Sequence, residues 1–320
     1  MRETFVKIIT TKFMYKYSNN VIIRNNSPAY FIFIRKYASE TKYHNTWSSI
    51  IEDKCGTSDY DFCQWFVGYT DGDGCFSIYV NTHNRKINLT YKLSQRIDNI
   101  QVLYFIKKKI GVGVVRKDKE DMAHYLVRDV MSLQNSILPI FNNHKLKTKK
   151  YYDFLKFKDC LNIYADPSLS QIEKINLINS RKLVVFQPQP FLLKRHLDIT
   201  SLSKLWIVGF VEAEGSFYLT EKENKSIVHG FAISQKEDVH LLICIARILK
   251  IKANIKQREA GFYMLDSTNA NDLKFIKDYF FNTMKSKKAF IYRVWARSFR
   301  DKGKYDKLKK LKLTLNRMKV

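Results

Sequence analysis

The chain has 320 residues, 45% of them hydrophobic and 14% aromatic, which is enough to build real cores and excludes a disordered tail. Its 56 Lys and Arg against 30 Asp and Glu leave a net charge of +26, pointing to a polyanionic partner, nucleic acid ahead of an anionic membrane surface. No apolar run approaches the roughly 18 residues of a membrane span, and the five cysteines (Cys55, Cys63, Cys75, Cys160, Cys244) show no CxxC spacing, so no membrane helix, zinc ribbon or disulfide framework is expected.

Residues 1–57 form a basic extension. Between Met1 and Ala38 the only acid is Glu3, against Arg2, Lys7, Lys12, Lys16, Arg24, Arg35 and Lys36; this balance fits a mitochondrial presequence or, equally, an upstream reading-frame extension that is removed or left disordered. A preference for Lys, Ile, Asn, Tyr and Phe, whose codons are AT-rich, agrees with an organellar gene. A mitochondrion is therefore expected, with a chloroplast as the alternative.

Residues 58–165 carry the pattern of one folded unit. Ser58 or Asp59 can cap a helix bearing Phe62, Trp65, Phe66 and Tyr69, which Gly74 ends. Phe76, Ile78 and Val80 then alternate with Ser77, Tyr79 and Asn81, and Ile87, Leu89 and Tyr91 alternate with Lys86, Asn88 and Thr90. This is an antiparallel hairpin with one wet face. Helical spacing returns at Leu103, Ile106 and Ile110, a second strand pair follows between Val112 and Val127, and a basic helix closes the unit. Residues 166–200, with a short helical stretch and Gln187-Pro-Gln-Pro190, form a linker. Residues 201–300 repeat the order. Ser201 or Ser203 caps a helix through Leu205, Trp206 and Phe210, Phe217 and Leu219 point inward, and Leu242, Ile245 and Leu249 mark the next helix. Residues 301–320 are a basic C-terminal helix or tail.

The repetition extends to the residues themselves. Trp65-Phe-Val-Gly-Tyr-Thr-Asp-Gly-Asp-Gly-Cys-Phe76 matches Trp206-Ile-Val-Gly-Phe-Val-Glu-Ala-Glu-Gly-Ser-Phe217, Leu93-Ser-Gln-Arg-Ile-Asp98 echoes Ile233-Ser-Gln-Lys-Glu-Asp238, and Lys145-Leu-Lys-Thr-Lys-Lys150 echoes Thr283-Met-Lys-Ser-Lys-Lys288. The second acid of the first motif precedes the Gln by 22 residues in one copy and 21 in the other. Three motifs in one order at nearly equal spacing indicate an internal duplication.

Gly68 and Gly72, and likewise Gly209 and Ala213, leave one face of each motif helix without bulk, so the two helix backbones can approach closely. Packed that way, their C-terminal ends bring Asp73 and Glu214 together. Two carboxylates beside the negative ends of two helix dipoles repel. A divalent cation relieves the conflict, and Mg²⁺ (or Mn²⁺) takes one or two carboxylates together with phosphate oxygens and water. Gln95, Gln235, Lys147 and Lys285 are then expected to orient water and neutralise charge around a phosphodiester, whereas Asp71 and Glu212 are expected to be structural caps. A calcium loop starting at Asp71 is excluded, because its twelfth position is Thr82 rather than Glu.

Phe66-Val-Gly-Tyr-Thr-Asp-Gly-Asp-Gly74 and Ile207-Val-Gly-Phe-Val-Glu-Ala-Glu-Gly215 resemble the two copies of the LAGLIDADG motif, and residues 58 to 300 are similar to the single-chain LAGLIDADG homing endonucleases. The resemblance implies an α+β fold of two pseudo-symmetric αββαββα units whose antiparallel sheets form a DNA-binding saddle. It also implies divalent-metal-dependent cleavage of both strands, with Asp73 and Glu214 as metal ligands, by a chain acting as a monomer. Glu214 stands where many relatives carry Asp, so the two strands are expected to be cut at unequal rates.

On such a saddle the outward side chains face base edges in the major groove. These are Ser77, Tyr79, Asn81, His83, Lys86, Asn88 and Lys92, with Arg116 and His124, in the first unit, and Tyr218, Thr220, Lys222, Asn224, Lys256 and Arg258 in the second. Because the two sets differ, a long non-palindromic double-stranded target is expected. The alternative from another class is a group I intron RNA maturase on the same scaffold, binding its own intron RNA with or without cleavage. Retention of an acid in both motif copies favours the nuclease. A transcription factor on this fold would be marked by loss of those acids, which this chain does not show.

Overall fold

The computed structural model describes residues 57–118, 121–184, 202–223, 225–258 and 261–319. The extension up to residue 56, the Gln187-Pro-Gln-Pro190 stretch, Ser201 and Asn224 lie outside the described residues.

The first half opens with α1 (Thr57–Asp73), followed without a loop by β1 (Gly74–Asn81) and β2 (Lys86–Arg96). Asn81 turns the hairpin, its Oδ1 accepting from the backbone N–H of His83 (3.0 Å) and Asn84 (3.2 Å). Then come α2 (Ile100–Ile110), β3 (Val114–Lys117), β4 (Met122–Val127), a helical segment ending in α3 (Leu138–Asn143), α4 (Lys150–Ala165) and α5 (Gln171–Lys182). The second half repeats this as α6 (Lys204–Glu214), β5 (Gly215–Lys222), β6 (Ser226–Lys236), α7 (Val239–Ile248), β7 (Lys256–Gln257), β8 (Phe262–Ser267), α8 (Ala270–Tyr279), α9 (Lys288–Arg297) and α10 (Tyr305–Lys319). Each half holds a four-stranded antiparallel sheet, in the orders β1-β2-β4-β3 and β5-β6-β8-β7.

The pleat sorts the sheets into two faces. Phe76, Leu89, Tyr91 and Leu93 in the first sheet, and Phe217, Phe231, Ile233 and Leu265 in the second, are buried under the helices. Phe76 packs against Phe141, Phe154 and Phe157, and its counterpart Phe217 packs against Phe280, Tyr292 and Trp295. Duplication therefore extends to the aromatic centre of each core.

The linker region and the C-terminal region are also equivalent. Ser170 caps α5 in a complete capping box with Glu173, and Gln171 donates to the Arg85 carbonyl near the tip of the first hairpin (2.7 Å). In the second half α10 starts beside the hairpin, where the Tyr305 hydroxyl donates to Glu221, and it buries Leu308 and Leu315. Both helices thus pack on the duplicated units.

The glycines ending the motif helices, Gly74 and Gly215, do not adopt the left-handed conformation. Gly215 has φ −80° and ψ 156°, an extended conformation open to any residue. Its requirement is space: a Cβ on Gly215 would lie 2.6 Å from a Val211 methyl, and one on Gly74 would lie 2.3 Å from Thr70 Cγ2.

Candidate active site at the paired helix ends

The two halves meet along α1 and α6, which touch backbone to backbone. A Cβ on Gly68 would fall 2.0 Å from the Trp206 carbonyl oxygen, one on Gly209 would fall 2.0 Å from that of Trp65, and one on Gly72 would fall 2.2 Å from Ala213 Cβ. The interface is also cross-linked by polar contacts. Trp65 Nε1 donates to Glu212 in the other half (2.5 Å), and Trp206 Nε1 donates to Asp71 (2.9 Å). Asp71 further accepts from the backbone N–H of Lys147 and Thr148, and Glu212 from those of Lys285 and Ser286. The inner acid of each motif therefore anchors the start of the closing helix in its own half and clamps the tryptophan of the other.

The outer acids meet at the ends of the pair. Glu214 Cγ lies 3.3 Å from the position of a Cβ on Gly72, next to Asp73. Burial raises the Asp73 carboxyl above the ordinary aspartate range, against the opposing pull of its Gln95 hydrogen bond and of Lys288 and Lys150. Burial and then the Asp73 charge push Glu214 up to about 7. The pair is thus strained by desolvation and mutual repulsion, the situation a divalent cation resolves.

Among the described residues, the cations acting on this pair are Lys150 and Lys288. Lys150 Nζ donates to the carbonyls of Thr70 (3.3 Å) and Gly72, and Lys288 Nζ to those of Val211 (3.2 Å), Ala213 (3.2 Å) and Gly215 (2.5 Å). Each ammonium group satisfies open carbonyls at the end of a motif helix and offsets its dipole. Burial lowers the Lys150 pKa while Asp71, Asp73 and Glu214 hold it up. Lys147 and Lys285 are placed differently. Their backbone N–H groups serve Asp71 and Glu212, and the Lys285 ammonium lies 5.4 Å from the centre of the Trp65 ring. Both copies of the third motif end in Lys-Lys, so the repeat contains Lys150 and Lys288 but does not distinguish them from the neighbouring lysines.

Gln95 and Gln235 also differ. Gln95 Nε2 donates to Asp73 Oδ2 at 2.6 Å, and Asn99 Nδ2 donates to Gln95 Oε1 at 2.6 Å, while Asn99 Oδ1 accepts from the Lys287 backbone in the other half (2.8 Å). Gln235 instead donates to Asp238 Oδ2 (3.4 Å), which accepts from the Lys149 backbone at 3.4 Å. Asn99 and Asp238 are thus equivalent, each immediately before a helix. The Asp98/Asp238 echo in the sequence is offset by one residue. An open cavity of about 310 Å³ beside Asp73 is lined by Gln95, Asn99, Ser216, Lys287, Lys288 and Met318, among others.

Strand register puts the outward residues on one face of each sheet. Ser77, Tyr79 and Asn81 pair with Thr90, Asn88 and Lys86, and Arg116 pairs with His124. Lys92, beside Cys75, joins that face, and His83 is exposed in the turn. Thr220 and Lys222 pair with Val228 and Ser226, and Lys256 pairs with Met264. Arg258, just beyond β7, is exposed and its guanidinium donates to Met264 sulfur (3.7 Å). Some of these groups have intramolecular partners: His124 contacts Ser94 (3.0 Å) and Asp118 (3.3 Å), and the Tyr218 hydroxyl donates to Asp266.

A family model described as LAGLIDADG endonuclease matches residues 66–161 and 207–299. The chain is 34% identical over 275 residues to a probable intron-encoded endonuclease Cox1-I1b of Schizosaccharomyces pombe, an overlap covering 82% of this chain and 70% of the relative. It is 31% identical over 248 residues to a probable intron-encoded endonuclease 4 of Neurospora crassa, covering 75% of this chain but 40% of that protein. Among solved structures, I-SmaMI bound to cleaved DNA superposes with a TM-score of 0.69 at 20% identity, covering 81% of this chain and 98% of that one. The meganuclease I-AabMI bound to uncleaved DNA gives 0.68 at 19% identity, covering 80% and 99%.

Proposed function

The chain belongs to the LAGLIDADG endonuclease family, and from that premise we propose that it is a homing endonuclease, cutting both strands of a long, non-palindromic DNA site. The observation that carries this reading is the convergence of Asp73 and Glu214 across the glycine-packed helix pair, flanked by Lys150 and Lys288.

In this reading Asp73 and Glu214 hold the divalent cation, Mg²⁺ or Mn²⁺. Among the described residues no group of three or more His, Cys, Asp or Glu side chains could enclose a metal. Two carboxylates alone suit a hard ion that keeps water and phosphate oxygens in its remaining positions. When bound, the ion lowers the pKa of its water and stabilises the leaving oxygen. The chain's own groups do the rest. Gln95 fixes the orientation of the Asp73 carboxylate. Lys150 and Lys288, rather than Lys147 and Lys285, supply the nearest positive charge for a phosphate at the helix ends. The outward faces of the two sheets contact the DNA, and the net charge of +26 makes binding strongly dependent on salt.

The duplicated unit is complete in one chain, so the protein acts as a monomer. The names of its relatives support an intron-encoded mitochondrial origin. Retention of both acids favours cleavage over RNA splicing assistance. The test is linearisation, with Mg²⁺, of a plasmid carrying the uninterrupted sequence of its host gene. Asp73→Asn and Glu214→Gln are expected to bind that DNA without cutting both strands. Wild-type cleavage by both variants would overturn the assignment.

A further inference from the structure

The outward faces of the two sheets differ in one respect that the charge count conceals. Among the described strand residues facing outward, Asp266 on β8 is the one acid, in a chain with nearly twice as many bases as acids. It stands in the cross-strand row Ser216, Ala232, Asp266, the row next to the Gly215 that follows Glu214. The equivalent row of the first half is Cys75, Lys92, Leu126. The innermost outward row thus presents a cation in one half and an anion in the other.

Asp266 is held by a built support. Tyr218 and Gly230 are paired across β5 and β6, and the Tyr218 ring lies directly over Gly230. A Cβ on Gly230 would fall 2.2 Å from Tyr218 Cζ, so only glycine lets the ring lie there. The Tyr218 hydroxyl donates to Asp266 Oδ1. A carboxylate can accept about four hydrogen bonds, so one donor orients the group and leaves acceptor capacity for another. An anion near DNA repels phosphate, and it is favourable on this face only where it receives a hydrogen bond from a base. In the major groove the matching group is the exocyclic amine of cytosine.

Building on the nuclease reading, we infer that Asp266, oriented by Tyr218 over Gly230, is a specificity-determining residue that selects cytosine at the innermost base pair contacted by the second sheet. Lys92 takes the equivalent place in the other half, where an ammonium suits the guanine acceptors O6 and N7. The innermost positions of the two half-sites are therefore chemically opposite.

The experiment uses the full chain and a library of randomised duplexes, sequencing both the molecules bound with Ca²⁺ and those cut with Mg²⁺. In the wild type one position is expected to favour cytosine by about tenfold, the discrimination of a single well-placed base contact. Asp266→Asn should move that preference to adenine, which a carboxamide recognises through N6 and N7, and leave every other position unchanged. Asp266→Ala should flatten the position, and Tyr218→Phe should keep cytosine with reduced discrimination. An unaltered base profile in both Asp266 variants, or uniform weakening at all positions, would show that Asp266 only pins Tyr218 and would overturn the inference. Absence of a cytosine-selective position in the wild-type bound fraction would overturn it even if no Asp266 variant folded. Loss of cutting with an intact bound profile would count against the nuclease reading alone.

Discussion

Replacing Gly68 with alanine places a methyl group 2.0 Å from the Trp206 carbonyl oxygen, and Gly209→Ala does the same against Trp65. Non-bonded heavy atoms settle at about 3.5–4.0 Å, and the obstacle is backbone rather than a flexible side chain. The helices must therefore separate by more than about 1 Å at the crossing. Overpacking of this kind costs about 1–3 kcal/mol, and alanine's better helix propensity offsets about 1 kcal/mol of it. Each variant should fold, with a melting temperature lower by several degrees. Cleavage is more sensitive, because displacing reacting groups by about 1 Å costs on the order of 100-fold in rate. Calorimetry, target binding and single-turnover cleavage on the same samples separate the two effects. A Gly68→Ala/Gly209→Ala double variant that cuts at the wild-type rate would refute the argument that close helix approach positions the two acids.

Glu214→Gln should raise stability in metal-free buffer at pH 8 while abolishing double-strand cleavage. The folded-state pKa of about 7 exceeds the ordinary 4.5, so the folded form holds the extra proton. The destabilisation is absent below about pH 4.5, grows as pH rises to 7, and is then constant at about 3 kcal/mol. Mg²⁺ should accordingly raise the melting temperature more at pH 8 than at pH 5. His229 has the opposite dependence. Burial against Trp295 and Phe299 lowers its pKa to about 4, so stability should fall as pH drops from 6.5 to 4, and a His229→Phe variant should lack that decline. Asp71→Ala leaves four donors without their acceptor, and chemical denaturation should show a loss of about 3 kcal/mol or more, unlike Asp73→Asn. Gln95→Ala should slow nicking of one strand more than Gln235→Ala slows the other, because only Gln95 contacts its outer acid. Equal effects, measured on end-labelled strands, would remove that asymmetry.

Much of the architecture was legible because it follows local rules. Period-2 alternation placed Phe76 and Ser77 on opposite faces, and the small residues at 68, 72, 209 and 213 marked the contact face of each motif helix. Repetition then singled out Asp73 and Glu214 from acids that would otherwise pass for turn formers. It also supported the structural role of Asp71 and Glu212, since inner and outer acids recur together. The roles of individual lysines were not legible in this way: the runs at 145–150 and 285–288 contain several candidates, and spacing cannot say which ammonium group turns toward a helix end.

Sequence by itself determined the duplicated α+β plan, the face of each strand and the acids at the motif ends, because these depend on backbone period and on repetition of a short motif. Tertiary structure decided that Lys150 and Lys288 cap the motif helices, that Gln95 contacts Asp73 while Gln235 turns to Asp238, and that Asp266 is oriented by a tyrosine lying over Gly230. Those contacts join residues distant in the chain or on neighbouring strands. Angstrom-scale packing between elements selects them, and no periodic pattern in the sequence encodes it.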